Sequence, residues 1–221
     1  ASFQPPTECL QEAPEVLTAK INDDLLWKDK KYTAMAVGPG LGVSQETADL
    51  ILKMKKENVS SAILDADAIT TCVQYNLFPL PENWVLTPHA AELSRIIKLD
   101  VREIENNRFA ATLRGSEVAG CHLLLKGYRS IIAFGGRCMV INSGNSALAK
   151  AGTGDVLTGM VGSLLAQGHE PLQATATAAY IHGRMSDEWI RVGNDKSSLT
   201  ASDLKDHLPS LMARLSGGTL F

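Results

Sequence analysis

The sequence predicts one three-layer α/β domain over residues 1–221, with a mostly parallel central sheet and helices on both faces. Short apolar runs of three or four residues recur along the chain, and their length favours buried strands over helices. Most of these runs end in glycine or polar residues and are followed by a segment whose apolar residues recur three or four apart. Strands that alternate with amphipathic helices are typical of βαβ units, which build parallel sheets covered by helices.

The composition indicates a soluble, cytoplasmic protein that acts on a small molecule. Its net charge is −3 with both signs interspersed, so we expect no surface for nucleic acid or for an anionic membrane. No signal peptide and no run of about eighteen apolar residues is present. The four cysteines, Cys9, Cys72, Cys121 and Cys138, lack the Cys-x-x-Cys spacing of zinc and redox sites. We therefore expect reduced thiols.

The first strand is predicted at residues 34–37, an apolar run that ends in the turn Gly-Pro-Gly-Leu-Gly at 38–42. Ser44 is placed to cap a helix that extends to about Glu57, with apolar residues on one face and lysines on the other. Ligands bind at such strand ends in open α/β sheets, so this turn is a candidate ligand contact.

Two acidic residues follow the second predicted strand, which is residues 62–64. They are Asp65 and Asp67, and one of them could simply cap the next helix. The functional alternative is that Asp67 faces the substrate or a magnesium ion, because carboxylate oxygens suit that metal. The spacing is only weakly specific for either function.

His89 stands at a third switch from strand to helix. The apolar run 84–86 is followed by Thr-Pro-His at 87–89, by a helix predicted from 90 to about 99, and by another from 104 to 117. Such a histidine could be a surface loop residue. Because polar groups from three strand ends converge on one crevice, the alternative is a ligand contact.

Lys126 ends a fourth predicted strand, residues 122–125. Two further apolar runs, 131–134 and 138–141, are separated by a glycine turn and predict a β-hairpin. The hairpin should lay this strand edge beside the glycine-rich loop that follows it. Lys126 is therefore a candidate phosphate contact, although a solvated lysine is the plainer interpretation.

The most informative stretch is residues 142–159, whose centre reads Gly-Thr-Gly-Asp at 152–155. Glycines ahead of a helix let backbone N–H groups converge on an anion. The apolar spacing from Val156 to Leu165 predicts that helix, so Asp155 lies in its first turn. Asp155 is either an acid favoured by the helix dipole or a general base beside a bound phosphate. No lysine and hydroxyl residue follow the second glycine, so the loop is not a P-loop.

Five motifs, in this order along the chain, together resemble those of the ADP/ATP-dependent NAD(P)H-hydrate dehydratases of the ribokinase-like superfamily. They are Val-Gly-Pro-Gly-Leu-Gly at 37–42, Leu-Asp-Ala-Asp-Ala-Ile at 64–69, Leu-Thr-Pro-His-Ala-Ala-Glu-Leu at 86–93, Leu-Leu-Lys-Gly at 124–127 and the loop at 142–159. The resemblance covers residues 37 to about 203. It implies a lyase that restores NADH or NADPH from the hydrated cofactor NAD(P)HX. ADP or ATP would phosphorylate the C6 hydroxyl, phosphate would then leave, and AMP or ADP would be released.

The same resemblance implies roles for individual residues. Asp155 would be the catalytic base that deprotonates the C6 hydroxyl. The adenine nucleotide would be bound by Lys126, Gly127, Tyr128, Arg129, Ser130, Gly152, Thr153 and Gly154. The hydrated cofactor would be contacted by Gly42, Asp67, His89, Asn145 and Asp155. Magnesium is expected by similarity because the nucleotide phosphates must be neutralised during transfer, but no residue is identified as its ligand.

Residues 1–31 depart from the pattern of that family. Its members usually begin with a His-Lys-Gly strand, a glycine-rich turn and an alanine-rich helix, whereas this segment shows only a possible strand at Val16 and Leu17. The chain is therefore expected to lack that segment and the epimerase domain that many bacterial relatives carry ahead of it. The expected partners are NAD(P)HX, an adenine nucleotide, further copies of the chain in a homo-oligomer, and a fused or separate epimerase.

Two other functions stay open from the residues. A small-molecule kinase of the same superfamily, acting on a vitamin precursor, would also use Asp155 as its base, but the motifs at 38–42 and 87–89 argue against it. A nucleotide-binding module without catalysis is the third interpretation, because the N-terminal segment of the family is expected to be missing. Neither the phosphoryl donor, ADP or ATP, nor the preference between NADHX and NADPHX follows from the sequence.

Overall fold

The computed structural model describes residues 32–216, so the possible strand at Val16 and Leu17 lies outside the described residues. Within them, six strands form one sheet in chain order: β1 (Met35–Val37), β2 (Ala62–Leu64), β3 (Trp84–Leu86), β4 (His122–Leu125), β5 (Ile131–Phe134) and β6 (Arg137–Val140). Strands β1 to β4 are parallel, and β5 and β6 form an antiparallel hairpin beside β4. The predicted strands and the predicted hairpin are confirmed, except that β1 begins one residue later and β6 begins and ends one residue earlier than expected.

Helices connect the strands and cover both faces of the sheet. They are α1 (Gln45–Lys56), α2 (Ala66–Gln74), α3 (Ala90–Ile97), α4 (Val101–Asn106), α5 (Arg108–Ala119), a short 3₁₀ turn (Ser146–Leu148), α6 (Thr153–Ala166), α7 (Pro171–Arg191) and α8 (Ala201–Ser216). Between residues 32 and 216, no helix is long and apolar enough to cross a membrane.

The sheet separates two apolar cores, which confirms the three-layer fold. Leu64 and Leu86 belong to one core, which α1 to α5 complete from one side. Ile63 and Val85 belong to the other core, together with apolar residues of α6 and α7. Successive strand residues therefore enter opposite cores, as the two-residue period of a strand requires.

The start of α1 is fixed by a side-chain cap that the sequence predicts. Ser44 Oγ accepts a hydrogen bond from the Thr47 N–H at 3.2 Å. Such a bond satisfies one of the backbone donors that a helix leaves unpaired at its N-terminus. Helix α1 therefore begins at Gln45, directly after the turn that follows β1.

Two predicted helix boundaries are wrong. The helix expected over 104–117 is divided at Asn107, which leaves the helical conformation and accepts from the Ala110 N–H at 3.2 Å. That bond starts α5 as a separate helix. Helix α3 ends at Ile97 rather than near 99, because Lys98 has a left-handed φ of 55°.

Candidate active site

The carboxyl ends of the parallel strands carry the polar residues that the sequence predicts to form a site. Asp65 directly follows β2, and Lys126 directly follows β4. The turn after β1 packs against this edge at Gly38, where a Cβ would collide with the backbone oxygen of Asp65. Gly38 has a φ of 137°, so glycine is required there for conformation as well as for space. Open α/β sheets bind their ligands at this edge.

The N-terminus of α6 is open toward this edge of the sheet. Gly152 occupies the N-cap position with a φ of 83°, and among the described residues no side chain caps the helix. Thr153 Oγ1 instead donates to the carbonyl oxygens of Leu148 at 2.7 Å and Lys150 at 2.9 Å, which ties down the loop before the helix. The first backbone N–H groups of α6 therefore remain available to an anion, as the glycine-rich pattern predicts.

Asp155 is exposed in the first turn of α6, where the sequence places it. It is not the cap residue, because Gly152 holds that position. A carboxylate that is open to solvent beside free helix N–H groups is placed to take a proton from an oxygen that approaches a bound phosphate.

A buried ion pair lies beneath the start of α6. Lys126 Nζ is 2.7 Å from Asp65 Oδ1, and Thr158 Oγ1 donates to Asp65 Oδ2 at 2.8 Å. A Cβ at Gly154 would lie 3.6 Å from Lys126 Nζ, so the backbone of Gly154 passes close to this pair. From the sequence, Lys126 could be a solvated surface lysine; the structure shows that this interpretation is wrong.

Residues 126–130 form a tight turn after β4. Ser130 Oγ donates to the carbonyl oxygen of Gly127 at 3.0 Å, which closes the turn. Tyr128 is 76% exposed, and the Arg129 guanidinium lies 5.3 Å from the centre of its ring. The turn therefore presents an aromatic ring and a cation at the surface.

A cavity of about 340 Å³ lies between this turn and the glycine-rich loop. We call it the hairpin cavity, because Val140, the last residue of the hairpin, lines it. It is lined by Tyr128, Arg129, Val140, Asn142, Ser143 and Gly144. The structure thus brings part of the predicted nucleotide segment against the start of the loop that leads to Gly152. A cavity of this size is within the range of small-molecule sites.

Helix α7 holds the first part of that loop through Asp187, a residue that sequence reasoning missed. Asp187 Oδ2 accepts from the Gly144 N–H at 2.9 Å, and its Oδ1 accepts from Asn145 Nδ2 at 3.0 Å. Ser143 Oγ donates to the carbonyl oxygen of Tyr180 at 2.8 Å. The only sequence signal for this contact is the small residues of α7, which predict close packing but not a partner.

His182, also on α7, supports the other end of the loop. Its Nε2 lies 2.9 Å from the carbonyl oxygen of Thr153, which requires that Nε2 carry the donated proton. The pKa of His182 is lowered from 6.5 to about 4, chiefly by burial and to a smaller extent by the nearby Lys126 charge, while the Thr153 bond opposes the shift. The imidazole ring is therefore neutral at neutral pH and adds no charge beneath the glycine-rich loop.

The predicted substrate contacts fall into two groups. Gly42 and Asp67 come together, because the Gly42 N–H donates to Asp67 Oδ2 at 2.8 Å. His89 is the N-cap of α3: its Nδ1 accepts from the N–H groups of Ala91 at 3.1 Å and Glu92 at 3.3 Å. The histidine is thus a helix cap rather than an unstructured loop residue, and its side chain is still 53% exposed.

Asn145 does not join the Gly42 and Asp67 group. Its Oδ1 accepts from the Ala147 N–H at 2.9 Å, and its Nδ2 donates to Asp187. Both polar ends of this side chain therefore have partners within the protein. In this arrangement it fixes the backbone of the loop beside the hairpin cavity.

Magnesium would have to be held largely by the ligand. Among the described residues there is no group of three acidic, histidine or cysteine side chains that could hold a metal. Asp65 is already bound by Lys126 and Thr158, and Asp67 by Gly42. Magnesium in nucleotide sites commonly keeps several waters and takes its other oxygens from phosphates and one or two carboxylates. The donor chemistry here fits an ion of that kind and does not form a protein cage.

A mostly parallel α/β sheet with an open helix N-terminus above a half-buried lysine defines the class of this protein, and its fold is ribokinase-like. The chain belongs to the NAD(P)H-hydrate dehydratase family, whose model matches residues 4–210. The family predicted from the five motifs is therefore confirmed.

Known relatives and a solved structure agree with this family. The chain is 34% identical over 217 residues to the bifunctional NAD(P)H-hydrate repair enzyme Nnr of Moorella thermoacetica, covering 95% of this chain and 40% of that protein. It is 35% identical over 170 residues to the ADP-dependent (S)-NAD(P)H-hydrate dehydratase of Neisseria meningitidis serogroup B, covering 74% and 57%. The ADP/ATP-dependent NAD(P)H-hydrate dehydratase from Bacillus subtilis, co-crystallised with ATP and Mg²⁺, matches with a TM-score of 0.82 at 29% identity, over 94% of this chain and 75% of that chain. The chain thus spans only part of each of these proteins.

Proposed function

We propose that the chain catalyses the nucleotide-dependent dehydration of NAD(P)HX to NAD(P)H, with release of phosphate and of AMP from ADP or ADP from ATP. The observation that carries this proposal is the position of Asp155, exposed in the first turn of α6 beside open backbone N–H groups. A base beside an anion site is what transfer of a phosphoryl group to a hydroxyl requires. Membership of the dehydratase family supports hydrated NAD(P)H as the molecule that carries the hydroxyl, and the proposal places it on C6 of the ring.

The reaction proceeds in two steps. In the first step, Asp155 takes the proton of the C6 hydroxyl, and the hydroxyl oxygen bonds to the terminal phosphorus of the nucleotide. The bond between that phosphorus and the oxygen that bridges it to the next phosphate breaks. The phosphate then leaves C6 with the bonding electron pair, and a proton leaves the adjacent ring carbon, which restores the double bond. The N–H groups at the start of α6 and the charge of Lys126 stabilise the negative charge on the transferred group.

The nucleotide lies across the segment of Lys126, Gly127, Tyr128, Arg129 and Ser130, with its phosphates at Gly152, Thr153 and Gly154. The hairpin cavity supports this arrangement, because it connects the exposed Tyr128 ring to the loop that leads to the phosphate end. Magnesium, when bound with the nucleotide, neutralises phosphate charge during transfer.

The hydrated cofactor lies over Gly42, Asp67 and His89. The hydrogen bond from Gly42 to Asp67 fixes the turn after β1, and the His89 side chain is 53% exposed although its Nδ1 caps α3. Asn145 contributes to this site through the loop backbone that it fixes, because both ends of its side chain already have partners.

The test is the appearance of the reduced-nicotinamide absorbance band when hydrated NADH or NADPH is mixed with the protein, magnesium and either ADP or ATP. A rise with one nucleotide supports the dehydratase and identifies the donor. Nucleotide binding without any rise would direct the search to another alcohol substrate, as in the vitamin-precursor kinases, or to a binding module without catalysis.

Asp155→Asn should lower turnover by about 10² to 10⁴-fold, the usual effect of losing a general base, because the amide cannot accept the hydroxyl proton. Nucleotide affinity, measured by titration calorimetry, should stay nearly unchanged. Asp206→Asn, at a carboxylate that is 73% exposed on α8, is the matched control and should behave as the parent protein. Equal losses of affinity and turnover in Asp155→Asn would contradict the role of base.

The proposal extends to the setting of the reaction. The Moorella relative is named as bifunctional, which supports an NAD(P)HX epimerase, fused or separate, as a partner. A cytoplasmic homo-oligomer that repairs damaged cofactors is the form we expect. Sedimentation of the purified protein measures the oligomer.

A further inference from the structure

The buried carboxylate of Asp65 has no role in the function proposed above. From the sequence, Asp67 is the candidate acid of this strand end, and Asp65 is at most a helix cap. Asp65 does occupy the N-cap position of α2, but its side chain makes no capping bond. It is only 2% exposed, so its charge is withdrawn from water. A buried charge that does not cap a helix needs another explanation.

Both carboxylate oxygens of Asp65 are used on the opposite side of the sheet from α2. Oδ1 forms the 2.7 Å pair with Lys126 Nζ, and Oδ2 accepts from Thr158 Oγ1 at 2.8 Å. Thr158 is 3% exposed and lies one helical turn after Gly154 on α6. Asp65 therefore links the end of β4 to α6, the helix that follows the glycine-rich loop.

The pair is asymmetric in its exposure. The Asp65 side chain is 2% exposed, whereas that of Lys126 is 21% exposed. The ammonium group thus lies at the inner boundary of the site, with Gly154 close above it. Lysine has a flexible four-carbon chain and would otherwise sample many positions. A fixed carboxylate beneath it restricts the ammonium to one place.

Stability alone is a weak reason for such a pair. Replacing a buried ion pair with apolar residues of similar volume is often neutral or stabilising. We propose that Asp65 is a positioning residue, which holds Lys126 Nζ beneath Gly154 so that it meets the terminal phosphate of the bound nucleotide. This inference rests on the proposed function for its ligand, and it adds a residue that acts through Lys126 without touching the substrate.

The first test replaces Asp65 by Asn, which keeps the size of the side chain and removes its charge. Hydrogen bonds to charged groups are typically worth about a factor of 10 to 100 in an equilibrium constant. We expect a dissociation constant for ADP or ATP that is raised about 10-fold, measured by calorimetry without hydrated cofactor. A residue with a purely structural role would lower the melting temperature and leave the affinity of the folded protein unchanged; that result would overturn the proposal.

The decisive test is a double-mutant cycle with Lys126→Met. If Asp65 acts only through Lys126, then Asp65→Asn should weaken nucleotide binding little further in the Lys126→Met background. Effects that multiply would show that Asp65 acts independently, and they would contradict the proposal. Asp206→Asn again serves as the control for the loss of an exposed carboxylate.

A second variant and the parent protein itself provide further tests of the role of Asp65. Should Asp65→Asn fail to fold, Thr158→Val removes the bond to the other carboxylate oxygen, and we expect it to weaken nucleotide binding about 3-fold, in the range of a single hydrogen bond. No change in nucleotide binding would then count against the proposal.

A parent protein that binds nucleotide but does not dehydrate NAD(P)HX would refute the proposed function and leave the double-mutant cycle of Asp65 and Lys126 valid. A parent protein that binds no nucleotide would refute both.

Discussion

Replacing Asp187 by Ala should weaken nucleotide binding although the residue lies outside the predicted nucleotide segment. The substitution removes the acceptors of the Gly144 N–H and of Asn145 Nδ2, which are held at 2.9 and 3.0 Å. Each bond is worth about 1 kcal/mol net where water can partly replace it, so about 2 kcal/mol of support for the loop is lost. That free energy corresponds to an upper limit of about 30-fold in affinity.

The expected effect is smaller than this limit because other bonds still hold the loop to α7. Ser143 Oγ continues to donate to Tyr180, and Ser186 Oγ accepts from the Asn145 N–H at 3.3 Å. We expect the KM for the nucleotide to rise about 10-fold, since only the fraction of molecules with an ordered loop binds well. The turnover number should change by less than about 2-fold, because Asp155 lies at the other end of the loop.

The assay measures initial rates of dehydration over a range of nucleotide concentrations, together with the melting temperature. Asp187→Asn, which keeps one acceptor, should give an intermediate KM. Glu117→Gln, at an exposed carboxylate of α5, is the control and should leave both KM and stability unchanged. A fall in the melting temperature of Asp187→Ala with an unchanged nucleotide KM would refute the reasoning, because it would separate the loop bonds from the hairpin cavity.

Two further predictions concern stability. The pKa of His182 is lowered from 6.5 to about 4 by burial and by the Lys126 charge, so the folded state binds fewer protons than the unfolded state between these pH values. The free energy of unfolding should therefore fall as the pH drops from 6.5 to 4, by about 1.4 kcal/mol per pH unit from this residue, and His182→Gln should reduce that slope in urea titrations; an unchanged slope would contradict the assignment. Gly38→Ala should prevent folding or lower the melting temperature strongly, because its Cβ would collide with the Asp65 carbonyl, whereas Gly40→Ala, also at positive φ but with nothing within 4 Å, should be milder. Equal effects of the two glycine substitutions would show that strain, and not the collision, determines the cost.

The sheet and the edge that carries the candidate site could be predicted because they depend on local patterns. Short apolar runs locate β1 to β6, and the glycine pair around Thr153 marks the start of α6. Boundaries were less predictable where one side chain decides them. Asn107 starts α5 by accepting a single backbone bond, and nothing in the apolar spacing of 104–117 distinguishes it from a helical residue.

The side-chain contacts that support the candidate site could not be predicted, because the residues that form them are distant in the chain. Asp65 and Lys126 are 61 residues apart, and Asp65 and Thr158 are 93 apart. The sequence favoured Asp67 as the functional acid, although the two-residue period of β2 places Asp65 on the same face as Ile63, toward α6, whereas Asp67 already lies in the first turn of α2. The strand period indicates the face on which Asp65 lies, but only the fold shows that Lys126 lies beside it.

Helix α7 explains how a long loop with little secondary structure of its own can present the proposed phosphate site. His182 holds the Thr153 end of the loop and Asp187 holds the Gly144 end. Both supports project from one rigid helix, so the distance between the two ends of the loop is set by α7 and not by the loop itself. The hairpin cavity and the N-terminus of α6 therefore keep a fixed separation, which is what a nucleotide needs if its base end and its terminal phosphate are to be bound at the same time. A substitution that shifts α7 should consequently impair nucleotide binding at the hairpin cavity and at the N-terminus of α6 together. The loss of Asp187 or of His182 should impair binding at one of these two places.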